Sequence, residues 1–267
     1  MNYRPRIPSI ALAALLLAAP VACSSSSSSE VDDQAVAEPA APTAQEYFLQ
    51  GNEALDAGNW SQAIGHYEEA ARLDDQRWDA HMNRAIALTK AEQFDEAVQA
   101  FADALAAGGE TEPVIYFNLG NLYQERTLHE SAIDAYRTSM AHRGGLHYDT
   151  LLNLSASLTF LNAHEEAKVT IEEAIKLNPD DPRGHSTLAL TIFSMGQPDE
   201  ALAAYDEIVA MHPDYAPAHY NRAYVQLRRG EHALAQQGFQ HYLDLAPEGA
   251  YVRKAQSHLN MLESRDD

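Results

Sequence analysis

One cysteine in 267 residues leaves no way to form a disulfide within the chain. Positive charge is scarce as well: 18 Lys and Arg stand against 39 Asp and Glu, for a formal net charge of −21. A chain this acidic repels phosphate backbones, which argues against a nucleic-acid partner. Apart from one apolar run of ten residues, Ile10 to Ala19, nothing approaches the roughly 20 residues of a membrane-spanning helix. No glycine-rich phosphate loop and no nucleophile motif are present. His129-Glu130 and His164-Glu165 look like half of a zinc-protease helix, but neither has the second histidine four residues on. These absences predict a protein that is not an enzyme, with no metal, no cofactor and no small-molecule substrate.

What the chain does have is repetition. Pro113 to His142 reads as two amphipathic helices with a small residue in each, Gly120 and Ala132, twelve positions apart. Small residues at such places let two backbones approach closely. The pair recurs. The first-helix small residue appears as Gly51, Ala85, Gly120, Ser155, Ala189 and Ala223, and the second as Ala63, Ala97, Ala132, Ala167, Ala201 and Ala235. Successive copies are 34, 35, 35, 34 and 34 residues apart. Four residues after each second-helix alanine comes a bulky side chain: Tyr67, Phe101, Tyr136, Ile171, Tyr205 and Phe239. The two longer steps coincide with AAGGET and HRGGLH and are expected to loosen the junctions between pairs.

This helix–turn–helix period, with its small, aromatic and proline positions, resembles the tetratricopeptide repeat (TPR). The resemblance implies an all-α, right-handed superhelical solenoid of six TPR helix pairs over 44–77, 78–112, 113–147, 148–181, 182–215 and 216–247. A capping helix and tail follow over 248–267. There Val252, Ala255, Leu259 and Leu262 recur at helical spacing, and the opposite face is polar, as a closing end requires.

Residues 1–22 have the parts of a secretory signal: Arg4 and Arg6, the apolar run, then Val21 and Ala22 before Cys23. This resembles a bacterial lipoprotein signal, which implies that Cys23 is lipidated and that the lipid anchors the protein to a bilayer. The Ser-, Ala- and Pro-rich stretch 23–43 reads as a tether. The expected location is the cell envelope, at the outer membrane facing the periplasm.

In such repeats the first helices line a groove. The register places Phe48, Met82, Phe117, Leu152 and Tyr220, each three residues before the small one, on its wall. Beside them lie Asn83, Asn118, Asn153 and Asn221, with Asn52 and Asn121 one turn on. An asparagine offers one acceptor and two donors, so such a row can bind the main chain of an extended peptide or bridge adjacent helices. The expected partner is therefore a protein or peptide segment. In size, repeat number and lipidation the chain resembles the pilotin-like lipoproteins that assist type IV pilus secretins. Adaptors for peptidoglycan hydrolases or for outer-membrane protein assembly fit nearly as well. The contrasting reading is a histidine-based metal carrier or enzyme.

Overall fold

A computed structural model describes residues 41–266. The signal segment 1–22, the lipidation site Cys23 and nearly all of the tether lie outside the described residues. Among the described residues the chain is wholly helical. Six helix pairs follow one another: α1 Ala44–Asp56 with α2 Trp60–Leu73, α3 Trp78–Lys90 with α4 Phe94–Ala104, and α5 Pro113–Glu125 with α6 His129–Arg143. Then come α7 Tyr148–Phe160 with α8 His164–Leu177, α9 Pro182–Ser194 with α10 Pro198–Met211, and α11 Ala216–Arg228 with α12 His232–Leu245. A last helix, α13 Val252–Asp266, follows. None of these helices is long and apolar enough to cross a membrane.

Each first helix has 13 residues and ends in the same turn. The backbone N–H five residues on donates back to a carbonyl in the helix's last turn: Asn59 to Ala54 at 2.8 Å, Leu128 to Tyr123 at 2.8 Å, Glu231 to Gln226 at 2.9 Å. This closure needs a left-handed residue just before it. Gly58, Gly196 and Gly230 supply one freely, with φ of 76° to 80°. Glu92, Thr127 and Asn162 are forced into it at 58° to 60°.

The second helices carry the difference between the 34- and 35-residue steps. The extra residue does not loosen the junctions. In the second copy AAGGET continues α4 as a π turn, Leu105–Gly109, with Gly108 at φ 95°. Gly109 is packed so tightly that a β-carbon there would lie 2.4 Å from Ile115 Cδ1. In the third copy α6 runs one residue longer than α8, α10 or α12 and stops at left-handed Gly144.

The interior is a series of stacked clusters, as expected where each copy packs only on its neighbours. The second-helix aromatics Tyr67, Phe101, Tyr136, Tyr205 and Phe239 are fully buried. Gly51 and Gly120 lie flat against two of them: a β-carbon on either would come within 2.5 Å of the Tyr67 or Tyr136 ring. Helix α13 lays Ala255, Leu259 and Leu262 on Phe239 and Tyr242, covering the last pair.

Candidate functional site

The first helices meet one another along a continuous face. Asn83 on α3 donates to Asn52 Oδ1 on α1 at 3.1 Å, and Lys90 on α3 lies 3.9 Å from Glu125 on α5. Asn153 on α7 donates to Asn121 Oδ1 on α5 at 2.8 Å, and Arg183 on α9 pairs with Asp149 on α7 at 2.9 Å. Thr159 and Thr191 share a buried hydroxyl bond of 2.9 Å, and Phe193 meets Tyr224 edge-on at 6.0 Å.

Two of the asparagine pairs are oriented from behind by a tyrosine. Tyr67 donates its hydroxyl to Asn52 Oδ1 at 2.8 Å, and Tyr136 shares its hydroxyl proton between Asn121 Oδ1 at 2.9 Å and Gln124 Oε1 at 2.8 Å. The tyrosine reaches because the residue beside each asparagine is glycine, Gly51 or Gly120, over which the ring can lie. Burial holds the Tyr67 and Tyr136 hydroxyls protonated well above the usual tyrosine range, so each remains a donor. The result is a relay of tyrosine, asparagine and asparagine, formed at the junction of copies one and two and again at that of three and four.

The relay uses both lone-pair directions of one amide oxygen. It leaves the amide nitrogen of Asn121 and the amide oxygen of Asn153 without a protein partner among the described residues, both at half-buried positions. A donor beside an acceptor is the complement of one peptide unit. Asn52 and Asn83 repeat the arrangement. The two relays are two copies apart, roughly 20 Å at ordinary helix spacing, or about six residues of extended chain. The other asparagines differ. Asn118 turns back to Val114 O at 2.9 Å, because its neighbour in the preceding copy is Ile86, not asparagine. Asn221 reaches only Ser186 Oγ, at 3.4 Å.

The apolar wall expected from the sequence is not there. Phe117, Leu152 and Tyr220 are buried, at 9%, 7% and 7% exposure. Phe117 packs on Tyr136, Leu152 beside Ile171, and Tyr220 on Phe239 and Tyr251. Phe48 and Met82 are half-buried against the same kind of core: Phe48 on Tyr67, with the Arg77 guanidinium 4.2 Å from its ring, and Met82 against the second-copy cluster. The reason is geometric. A residue three before the small one lies only about 60° from it around the helix, so it shares the core face. The apolar side chains that do open outward on the first helices are Leu49, Leu190 and Phe160. The signal for them was available: they sit two before, one after and five after the small residue.

The histidines take repeated structural places. His185 and His219, equivalent in α9 and α11, each donate a ring N–H to the carbonyl of Pro179 or Pro213 at 2.7 Å. Among the described residues no three His, Cys, Asp or Glu side chains gather as metal ligands would.

Comparison with known proteins agrees with this architecture. Tetratricopeptide repeat profiles match residues 48–113 and 186–250, and a second profile of the same description matches 148–181. The STIP1 homolog of Dictyostelium discoideum is 25% identical over 169 residues, which is 61% of this chain and 28% of that protein. The chain thus spans little more than a quarter of that relative. A tetratricopeptide repeat protein of Parabacteroides merdae superposes with a TM-score of 0.68 at 16% identity, over 83% of this chain and 91% of that one. PilF of Pseudomonas aeruginosa superposes with a TM-score of 0.60 at 18% identity, over 80% and 96%. At such identities the likeness is one of fold.

Proposed function

The chain belongs to the tetratricopeptide repeat family, a protein-interaction scaffold, and from that premise we propose that it is a non-enzymatic, lipid-anchored scaffold of the bacterial cell envelope. It holds an extended segment of a partner protein on the face of its first helices. The observation that carries the binding role is the pair of preoriented relays, each leaving one amide donor and one amide acceptor for a main chain. Main-chain recognition of this kind tolerates many side chains, and the exposed Leu49 on α1 and Leu190 on α9 offer apolar contacts toward either end of the same row of first helices.

The envelope location rests on residues 10–23, whose pattern resembles a lipoprotein signal ending at Cys23. A lipid there, followed by the serine run, would hold the repeats at the outer membrane on its periplasmic side. Within that setting the proposed role is a pilotin-like one in assembling a type IV pilus secretin, a reading that rests on size, repeat number and the lipoprotein-like signal. An adaptor role for peptidoglycan hydrolases or outer-membrane protein assembly uses the same groove with another partner.

The test is Asn121→Asp. Aspartate keeps the acceptor that Tyr136 and Asn153 use but removes the two amide donors. Cross-linking from a photoreactive residue at position 190 in intact cells should recover a specific envelope partner, and Asn121→Asp should cut that recovery severalfold with the unfolding midpoint little changed. Recovery that is unchanged would remove the relays from the binding role.

A further inference from the structure

The edge where α6 begins and α7 ends differs from the same edge elsewhere. At the junction of copies two and three, Arg126 pairs with Asp95 at 2.7 Å and its guanidinium lies 5.5 Å from the Phe94 ring. At the junction of copies five and six, Arg229 pairs with Asp199 at 2.7 Å. Each time a residue six after the first-helix small residue meets a carboxylate near the start of the preceding second helix.

Between copies three and four, as between copies four and five with Glu165 and Met195, the carboxylate is present and the arginine is not; what sets the three–four edge apart is its exposed aromatic. Glu130 stands where Asp95 and Asp199 stand, and it is exposed, but Leu161 occupies the arginine's place. The aromatic surface is there too. Phe160 is 62% exposed, although the equivalent residues of the other copies, Asp56, Lys90, Glu125, Ser194 and Arg228, are all polar. Its ring stacks on His129, with centroids 3.8 Å apart. His129 is only 6% exposed, and neither of its ring nitrogens has a hydrogen-bond partner. A buried polar group left unpaired is costly, and here two ring nitrogens are unpaired under an aromatic that is itself out in solvent. Leu128, next to His129, is exposed as well.

We propose that this edge receives an arginine side chain from a partner protein, supplying in trans the guanidinium that Arg126 and Arg229 supply within the chain. The guanidinium would pair with Glu130 and lie against the outer face of the Phe160 ring, whose inner face is stacked on His129. An apolar neighbour of that arginine would cover Leu128. A guanidinium has the planar face and five donors this needs, and an ammonium does not. Burial lowers the His129 pKa, which keeps the ring neutral, so no imidazolium beneath Phe160 repels the incoming cation. The acidity of the chain favours a cationic segment over any other. The inference rests on the reading of the chain as a protein-binding scaffold but not on the asparagine relays.

The probe is a labelled peptide with a leucine–arginine–leucine centre, titrated into the full chain and read by fluorescence anisotropy. The wild-type chain should bind it, with lysine in place of arginine binding more weakly and alanine more weakly still. Phe160→Ser and Glu130→Gln, both at exposed positions, should each weaken binding by about tenfold, and Asn121→Asp should not. Leu161→Arg, which restores the internal arginine, should compete the peptide away. Equal binding of the arginine and alanine peptides, unchanged binding by both edge variants, or no binding by wild type overturns the proposal. A wild-type chain that recovers its envelope partner but does not bind the arginine peptide removes only the arginine site. Partner recovery unchanged by Asn121→Asp, with arginine-peptide binding by wild type intact, removes only the groove reading.

Discussion

Tyr136 shares its hydroxyl proton between the Asn121 amide oxygen at 2.9 Å and Gln124 Oε1 at 2.8 Å, and through the first of these a second helix bears on what a first helix presents to a ligand. Tyr136→Phe removes the donor without changing shape. The second copy already works this way, with Phe101 over Ala85 and Ile86 in the asparagine's place. The variant should therefore fold, lose about 0.5–1.5 kcal/mol in urea unfolding, and recover less partner in the cross-linking assay because Asn121 is no longer held. A variant that keeps full recovery would show that the groove tolerates a free amide.

Gly120→Ala tests the same contact from the other side. Alanine is the better helix former by about 1 kcal/mol. Its β-carbon would lie 2.5 Å from a buried tyrosine ring that cannot swing away. Overpacking of this kind costs about 1–3 kcal/mol, so the net effect should be destabilisation. Chemical denaturation decides it: a midpoint above wild type would mean that the ring has room to move.

Thr127 sits at φ 58°, a β-branched residue in a left-handed turn where three other copies use glycine. Thr127→Gly relieves about 1–2 kcal/mol of strain and gives back part of it as chain entropy. The variant should be more stable by about 0.5–1 kcal/mol, visible as a higher urea midpoint with an unchanged slope.

Acid should weaken the fold in a defined window. His81, His129, His147, His219 and His258 all have their pKa lowered, chiefly by burial. The unfolded chain takes up its protons near pH 6.5, while the folded chain waits for lower pH. Between those points the unfolded state binds more protons, so stability falls as pH falls from about 6.5 toward the folded values. Above pH 7 these residues should contribute no slope. Unfolding midpoints at a series of pH values check this, and His129→Phe, which copies Phe94, should flatten the slope and raise stability near neutrality.

Cys23→Ser should move the protein from the membrane to the soluble fraction and abolish incorporation of labelled fatty acid. Retention in membranes without label would refute lipid as the tether.

The period and the fold were legible in the sequence because every copy keeps its small residues, and packing against a helix leaves few alternatives there. The groove wall was not. Phe117, Leu152 and Tyr220 share a helix face with the small residue, but distinguishing 60° from 100° around a helix needs the partner's position, which periodicity alone does not give. Asn121 stands out in the sequence as a polar candidate, yet its bond to Tyr136 crosses 15 residues of sequence and has no local signature. The His129–Phe160 stack was hidden for the same reason: each residue is ordinary in its own helix, and only the junction makes them a pair.

The π turn at Leu105–Gly109 bears on how such an array can change over time. An added residue in an ordinary α-helix would rotate everything after it by about 100° and scramble every later interface. Here the surplus is taken up before Pro113, and the four copies beyond it retain the common 13-residue first helix and its closing turn. Single-residue insertions at the ends of second helices are therefore survivable, so copies can diverge in length while the face they share stays in phase.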